Sequence, residues 1–215
     1  MDGAMRMETW CHGGAWKAWW RVCAQEHCCQ NKYTAAPGGS EIAFGDDLPG
    51  DILPFAVTPG NGWILSHGAF LCGTTNIRVD ARFAGCLTCC FGGEGPFFSR
   101  ITVDDKAGLF FGGGYGQISR HEVPEGKVFL VHAGMFFAAN EKMDIGVGWP
   151  GGCWSFCWSG EGWVMKFRGP CVVYTQNRDP DYFRKLLHPY SILSDILEAL
   201  DKQGGNDGSA AAMLT

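Results

Sequence analysis

The stretch Gly92-Gly93-Glu94-Gly95-Pro96-Phe97-Phe98 returns as Ser159-Gly160-Glu161-Gly162-Trp163-Val164-Met165. Glu94 and Glu161 stand 161 − 94 = 67 residues apart, and Cys86 and Cys90 move by the same step to Cys153 and Cys157. A period of this size marks one supersecondary unit used more than once. It decides the architecture and leaves the chemistry open.

The likeness extends upstream. Pro59-Gly60-Asn61-Gly62-Trp63-Ile64-Leu65-Ser66-His67 falls on Pro124-Glu125-Gly126-Lys127-Val128-Phe129-Leu130-Val131-His132, an offset of 132 − 67 = 65. Each copy is a turn, a short apolar run and a small-residue corner, which is a strand signature with no helical period. Farther back, Glu26 lies 94 − 26 = 68 residues before Glu94, and Lys32-Tyr33-Thr34-Ala35 matches Arg100-Ile101-Thr102-Val103. Asp2-Gly3-Ala4-Met5 then sits on His67-Gly68-Ala69-Phe70, so the first of three repeats opens in its middle.

The expected fold is all-β: a sandwich or barrel of three pseudo-repeats at about 1–45, 46–111 and 112–178. In the second repeat the strands are expected near 52–58, 62–66, 69–72, 75–83, 96–103 and 107–111. One repeat cannot bury its apolar face alone, so residues 1–178 form one domain. The 32 glycines suit many tight turns. Beyond it, Asp179-Pro180-Asp181 reads as a helix start, with a capping Asp and Pro at the first helical position. Tyr182, Phe183, Leu186 and Leu187 give that helix an apolar face. A second helix from about Ser191 completes 179–203, and 204–215 reads as a disordered tail.

A net charge of −5 and a pI near 5.6 offer a phosphate backbone no electrostatic footing, so a nucleic-acid partner is not expected. No apolar run is long enough for a transmembrane helix. The start, Met1-Asp2-Gly3-Ala4-Met5-Arg6, lacks a signal or transit character. The expected address is cytoplasmic, or mitochondrial if the N-terminus is incomplete. Eleven cysteines in such a chain read as mainly reduced and buried.

Five groups of residues compete as sites. Cys86-x-x-Cys89-Cys90 and Cys153-x-x-x-Cys157 contain only one true knuckle, and position 89 becomes Phe156 in the next repeat. A structural zinc site needs paired knuckles, so small buried thiols beside a glycine hairpin are the stronger reading. His67 and His132 are repeat-equivalent but have Asp2 as their first counterpart, which favours strand-end histidines over ligands. Glu26, Glu94 and Glu161 keep their charge in all three copies. Close together they would repel or hold a cation, whereas in a Gly-Glu-Gly turn each carboxylate fixes its own hairpin. Trp154, Trp158 and Trp163 flank the third motif, as a partner face or as packed core. Gly112-Gly113-Gly114-Tyr115-Gly116 lacks the Lys-Ser/Thr of a phosphate loop and reads as a hairpin.

Taken together, Leu48-Pro49-Gly50-Asp51-Ile52-Leu53-Pro54, Gly68-Ala69-Phe70-Leu71, Phe91-Gly92-Gly93-Glu94-Gly95, Ser159-Gly160-Glu161-Gly162 and Tyr174-Thr175-Gln176-Asn177-Arg178 resemble the altered-inheritance-of-mitochondria family. The resemblance implies a fold like the tryptophan RNA-binding attenuation protein, a double-stranded β-helix or sandwich of three pseudo-repeats. It brings no catalytic residue, cofactor or metal site, and it implies peripheral membrane association only by family likeness. The expected function is therefore a non-enzymatic β scaffold or binding protein that forms a homo-oligomer or binds a protein partner. The alternatives are an RNA or small-ligand binding protein, and a metal-binding protein using Cys, His and Glu. Glu26, Glu94, Glu161, Trp154, Trp158 and Trp163 mark its candidate face.

Overall fold

Short runs of β-branched and aromatic residues, separated by glycine turns, give fourteen strands among the described residues. The computed structural model describes residues 5–10, 29–83, 97–148, 164–180 and 182–183. The chain divides into two compact units, Met1–Arg178 and Asp179–Thr215. In the first, β1 (Arg6–Trp10) and β2 (Gln30–Thr34) form a two-stranded antiparallel sheet.

Two sets of six strands follow. The first holds β3 (Ile52–Val57), β4 (Trp63–Leu65), β5 (Phe70–Gly73), β6 (Ile77–Phe83), β7 (Phe97–Val103) and β8 (Gly108–Gly113). The second holds β9 (Ile118–Val123), β10 (Val128–His132), β11 (Phe136–Asn140), β12 (Asp144–Gly148), β13 (Val164–Arg168) and β14 (Cys171–Gln176). Every strand expected between 52 and 111 overlaps an observed one. In the first set β8 lies between β3 and β5, and β7 between β6 and β4. In the second, β14 lies between β9 and β11, and β13 between β12 and β10.

The correspondence reaches single residues. The ladder slips between Phe70 and Cys72 on β5, and at the matching place between Phe136 and Ala138 on β11. The corner after β5 uses Thr74 Oγ1 to accept the Leu109 N–H at 3.2 Å, and the corner after β11 uses Asn140 Oδ1 to accept the Val172 N–H at 2.7 Å. The turns before β4 and β10 close through Asn61 N–H to Thr58 O and Lys127 N–H to Pro124 O. Gly60 and Gly126 take the left-handed position in them, with φ of 76° and 73°. That pairs Gly60 with Gly126, an offset of 126 − 60 = 66. A sequence alignment at 65 lays Gly60 on Glu125 instead.

One seam joins the sets. β4 pairs with β11 through Leu65↔Ala138, Ile64↔Ala139 and Trp63↔Asn140, making the six-stranded sheet β6-β7-β4-β11-β14-β9. On one side of it Ile64, Phe98, Phe136 and Val173 meet Val131, Met165 and Phe167 of the β10-β13-β12 sheet. On the other side Leu65, Ile101, Phe137 and Ala138 meet Phe55, Val57 and Phe110 of the β3-β8-β5 sheet. The architecture is three β layers with two cores. Phe55 centres the second core, stacked on Phe110 at 5.0 Å and edge-on to Trp63 and Tyr174 at 5.1 and 5.0 Å. Each buried phenylalanine of this kind contributes roughly 1.5–3 kcal/mol of transfer free energy.

Four local expectations change or sharpen. Gly112–Gly116 is not a hairpin: β8 and β9 sit in different sheets, and the glycines carry the chain between layers. β1 and β2 pair antiparallel from Arg6↔Thr34 to Trp10↔Gln30, while Asp2–Ala4 lie outside the described residues. Cys72 and Cys171 are free thiols, as expected of reduced cysteines, but Cys29 is disulfide-bonded. In the second unit Asp179 Oδ1 accepts the Tyr182 N–H at 3.1 Å, the capping bond expected there. The remainder of the expected helices and the tail lie outside the described residues.

Candidate functional site

Glu26, Glu94, Glu161, Trp154, Trp158 and Trp163 all fall outside the described residues. Within them, a polar cleft of about 340 Å³ opens at one end of the central sheet, beside the seam. Thr58, Gly62, Arg100, Thr102, Asp104, Glu141 and Lys142 line it.

Its centre is the Arg100–Glu141 ion pair. Arg100 stands on β7 opposite Ile64, and Glu141 opens the turn after β11, with its N–H donating to Gly62 O at 3.0 Å. Gly62 makes the arrangement possible. A Cβ there would lie 2.5 Å from both Glu141 Oε2 and Ile101 O, so only glycine admits the carboxylate. Arg82 Nη1 donates to Glu141 O at 2.7 Å and closes the corner from β6. Arg78 pairs with Asp104 along the rim, and Lys142 is exposed. With Glu141 only 15% exposed, the pair is sheltered on the acid side and solvated on the Arg100 side. The cleft therefore offers mixed charge and two hydroxyls, a surface suited to a small polar group. It lacks a nucleophile held against a base.

The described thiols add little reactivity. Burial pushes both Cys72 and Cys171 above the ordinary thiol value, which depletes the thiolate that would attack. His67 is half-buried just past β4, and His132 is exposed at the end of β10. His121 stacks on Phe129 at 4.7 Å and shares a 2.9 Å hydrogen bond with Thr175 Oγ1. Among the described residues no three His, Cys, Asp or Glu side chains are placed to hold a metal ion. No helix among them is long and apolar enough to cross a membrane.

Three of the separate sequence motifs converge in a second place. Asp51 N–H donates to Gly116 O at 2.8 Å, Gly114 N–H to Asp51 O at 3.1 Å, and Gly116 N–H to Pro49 O at 3.0 Å. Asp51 Oδ2 accepts the Ile118 N–H, and Asn177 Oδ1 accepts the Gln117 N–H, both at 2.9 Å. Gln176 bridges the Tyr115 N–H and Gly134 O from inside the core, and Arg178 lies over the Tyr115 ring. Pro49–Asp51, Gly114–Ile118 and Gln176–Arg178 thus form one backbone clasp, whose role is structural.

Neither assembly was legible in the sequence. Gly62, Arg100 and Glu141 share no spacing, and only the β4-β7 and β4-β11 ladders bring them together. The clasp residues were visible as motifs, but nothing in their order says that they touch.

The wider comparisons agree with this architecture. No curated protein matches the chain. The crystal structure of protein SPYM3_0169 from Streptococcus pyogenes resembles it with a TM-score of 0.61 at 18% identity, covering 87% of this chain and 83% of that one. At that identity the likeness speaks for the fold alone. The family profile described as mitochondrial biogenesis AIM24 matches residues 1–178, the whole β unit, and the chain belongs to that family.

Proposed function

We propose that this chain is a non-enzymatic β scaffold that acts by self-association through its sheet surfaces. One observation carries the reading. The outward face of the β3-β8-β5 sheet presents Ile52, Pro54, Ala56 and Leu109 to solvent, with Phe111 and Cys72 half-buried among them. Ile52 and Leu109 are each 40% exposed, and the Asp46 carboxyl over Gly113 bounds the set at its Ile52 end. Contiguous apolar surface of this kind marks an interaction site on soluble proteins. The ion-paired cleft and the raised thiols support a role without chemistry. We further read the two six-strand sets as successive copies of one unit, with β1 and β2 as part of a third. Light scattering coupled to size exclusion, run over a wide concentration range, tests the proposal. A monomer throughout would refute it.

The cleft favours one second reading, a small polar ligand held near Arg100 and Lys142. Thermal shift against a panel of small carboxylates and phosphates checks it. A shift that survives Lys142→Ala together with Arg100→Ala would place such binding elsewhere.

A further inference from the structure

We infer that β10 of one copy of this chain pairs antiparallel with β5 of a second copy, repeating between molecules the β4–β11 seam found within one. The inference rests on the self-association reading and adds to it the two edges and their register.

The internal equivalence supplies the partner. β10 stands to β13 as β4 stands to β7: Phe129↔Phe167 and Val131↔Met165 occupy the places of Trp63↔Ile101 and Leu65↔Ser99. β5 stands to β8 as β11 stands to β14, down to the shared bulge. Inside the chain β4 and β11 are joined. Their counterparts β10 and β5 each end a sheet among the described residues.

The edges themselves point the same way. Exposed strand edges invite pairing, and proteins guard them with charge or proline. Here β6 carries Arg78, Asp80 and Arg82, β9 carries Arg120 and Glu122, β12 carries Asp144, and β3 carries Pro54. β1 and β2 carry Arg6, Glu8 and Lys32. Among the described sheet edges only β5, Phe70-Leu71-Cys72-Gly73, and β10, Val128-Phe129-Leu130-Val131-His132, have neither a proline nor an Asp, Glu, Lys or Arg. Val128 and Leu130 are 53% and 47% exposed, whereas Ile64, the counterpart of Leu130, is 0% exposed beside the seam.

Carrying the seam's register across sets Val131 opposite Cys72, Leu130 opposite Gly73 and Phe129 opposite Thr74. The small residues Ala138 and Ala139 of the internal seam are thereby matched by Cys72 and Gly73, which leave room for the facing side chains. Every copy offers one β10 and one β5. The contact is head-to-tail, and it closes into a ring or continues as a filament.

A native cysteine lets the register be read directly. Full-length Val131→Cys is prepared as a mixture of unlabelled and 15N-labelled copies and mildly oxidised. Mass spectrometry is then expected to find a disulfide between Cys72 of one copy and the thiol introduced at position 131 of another, joining light and heavy peptides. The same protein with Cys72→Ala is expected to lose that link. Independently, Leu130→Lys places a charge on the edge without touching the core, and is expected to weaken self-association by about tenfold or more, the scale of one buried contact residue. Its far-UV circular dichroism and melting temperature should stay those of the parent. An oligomer that forms no light–heavy link and ignores Leu130→Lys would overturn this seam while leaving self-association standing. A monomeric parent would overturn both, and a link confined to single copies would make the contact intramolecular and overturn the seam.

Discussion

The strands between Ile52 and Gly113 and those between Ile118 and Gln176 follow the same pairing plan but meet different surroundings. Ile64 and Leu130 hold corresponding places, opposite Arg100 on β7 and Lys166 on β13, yet one is fully buried and the other 47% exposed. The difference comes from the surroundings: β4 receives β11 on its free edge and a sheet on each face, while among the described residues β10 meets a sheet only on its Val131 face and has no strand on its free edge. The apolar content of a strand therefore tracks the plan it shares with its counterpart. Its burial tracks what the next set brings to it. A leucine left outside by that rule is surface waiting for a partner rather than a packing error.

Substitutions can break this comparison, and the largest effect is expected at the bulge. Phe137, fully buried against the second core, should cost about 3–5 kcal/mol as Phe137→Ala. Leu71, at the matching bulge of β5, is only half-buried and should cost clearly less. Urea unfolding followed by fluorescence measures both, and equal losses would mean that the bulges are not equivalent in packing.

Next comes the Ile64–Leu130 pair. Ile64→Ala should destabilise by about 2–5 kcal/mol, while Leu130→Ala, at concentrations where the chain is monomeric, should stay within about 0.5 kcal/mol of the parent. Similar denaturation midpoints for the two variants would sink the seam as the source of the difference.

The clasp and a free turn give a third contrast. Gly116 has φ of 80°, and its Cβ would collide with Asn177 Oδ1, so Gly116→Ala should cost about 1–3 kcal/mol. Gly60 has φ of 76° with open space around it, so Gly60→Ala should pay only the left-handed backbone term of about 1–2 kcal/mol. Differential scanning calorimetry should place the melting point of Gly116→Ala below that of Gly60→Ala.

The smallest effect concerns pH. Burial, the largest influence on Asp46, raises its carboxyl above the ordinary value of 3.8, against the hydrogen bonds from Asp47 and Leu48 that lower it. The folded state thus prefers the neutral acid. The resulting contribution is full below 3.8 and is lost as pH rises through the raised folded value. Asp46→Asn should remove that part of the stability-versus-pH curve, which acid-range urea titrations would detect. Unchanged curvature would assign it to another group.

Much of the fold was readable because its signals are local. Alternating apolar runs bounded by turns placed six strands between 52 and 111, and the recurrence of Pro–Gly turns and of the histidines at 67 and 132 points to a repeated unit. The one-residue error at Gly60 arose because an alignment scores residue likeness, whereas left-handed backbone geometry decides which glycine corresponds. The Gly112–Gly116 error has a similar origin, since tight-turn residues look alike whether they reverse a strand or carry it to another sheet. The cleft could not be read at all, because Gly62, Arg100 and Glu141 become neighbours only through long-range ladders.

The amino-acid sequence by itself determined the all-β class, the strand spacing, the family and the capping Asp179, each written in residues close along the chain. Tertiary structure alone decided which edge meets which. Period-two alternation fixes a strand's two faces, but leaves open whether a sheet covers each face or another strand takes its edge. The β4–β11 seam decided which strands lie between two sheets and which remain at an edge among the described residues.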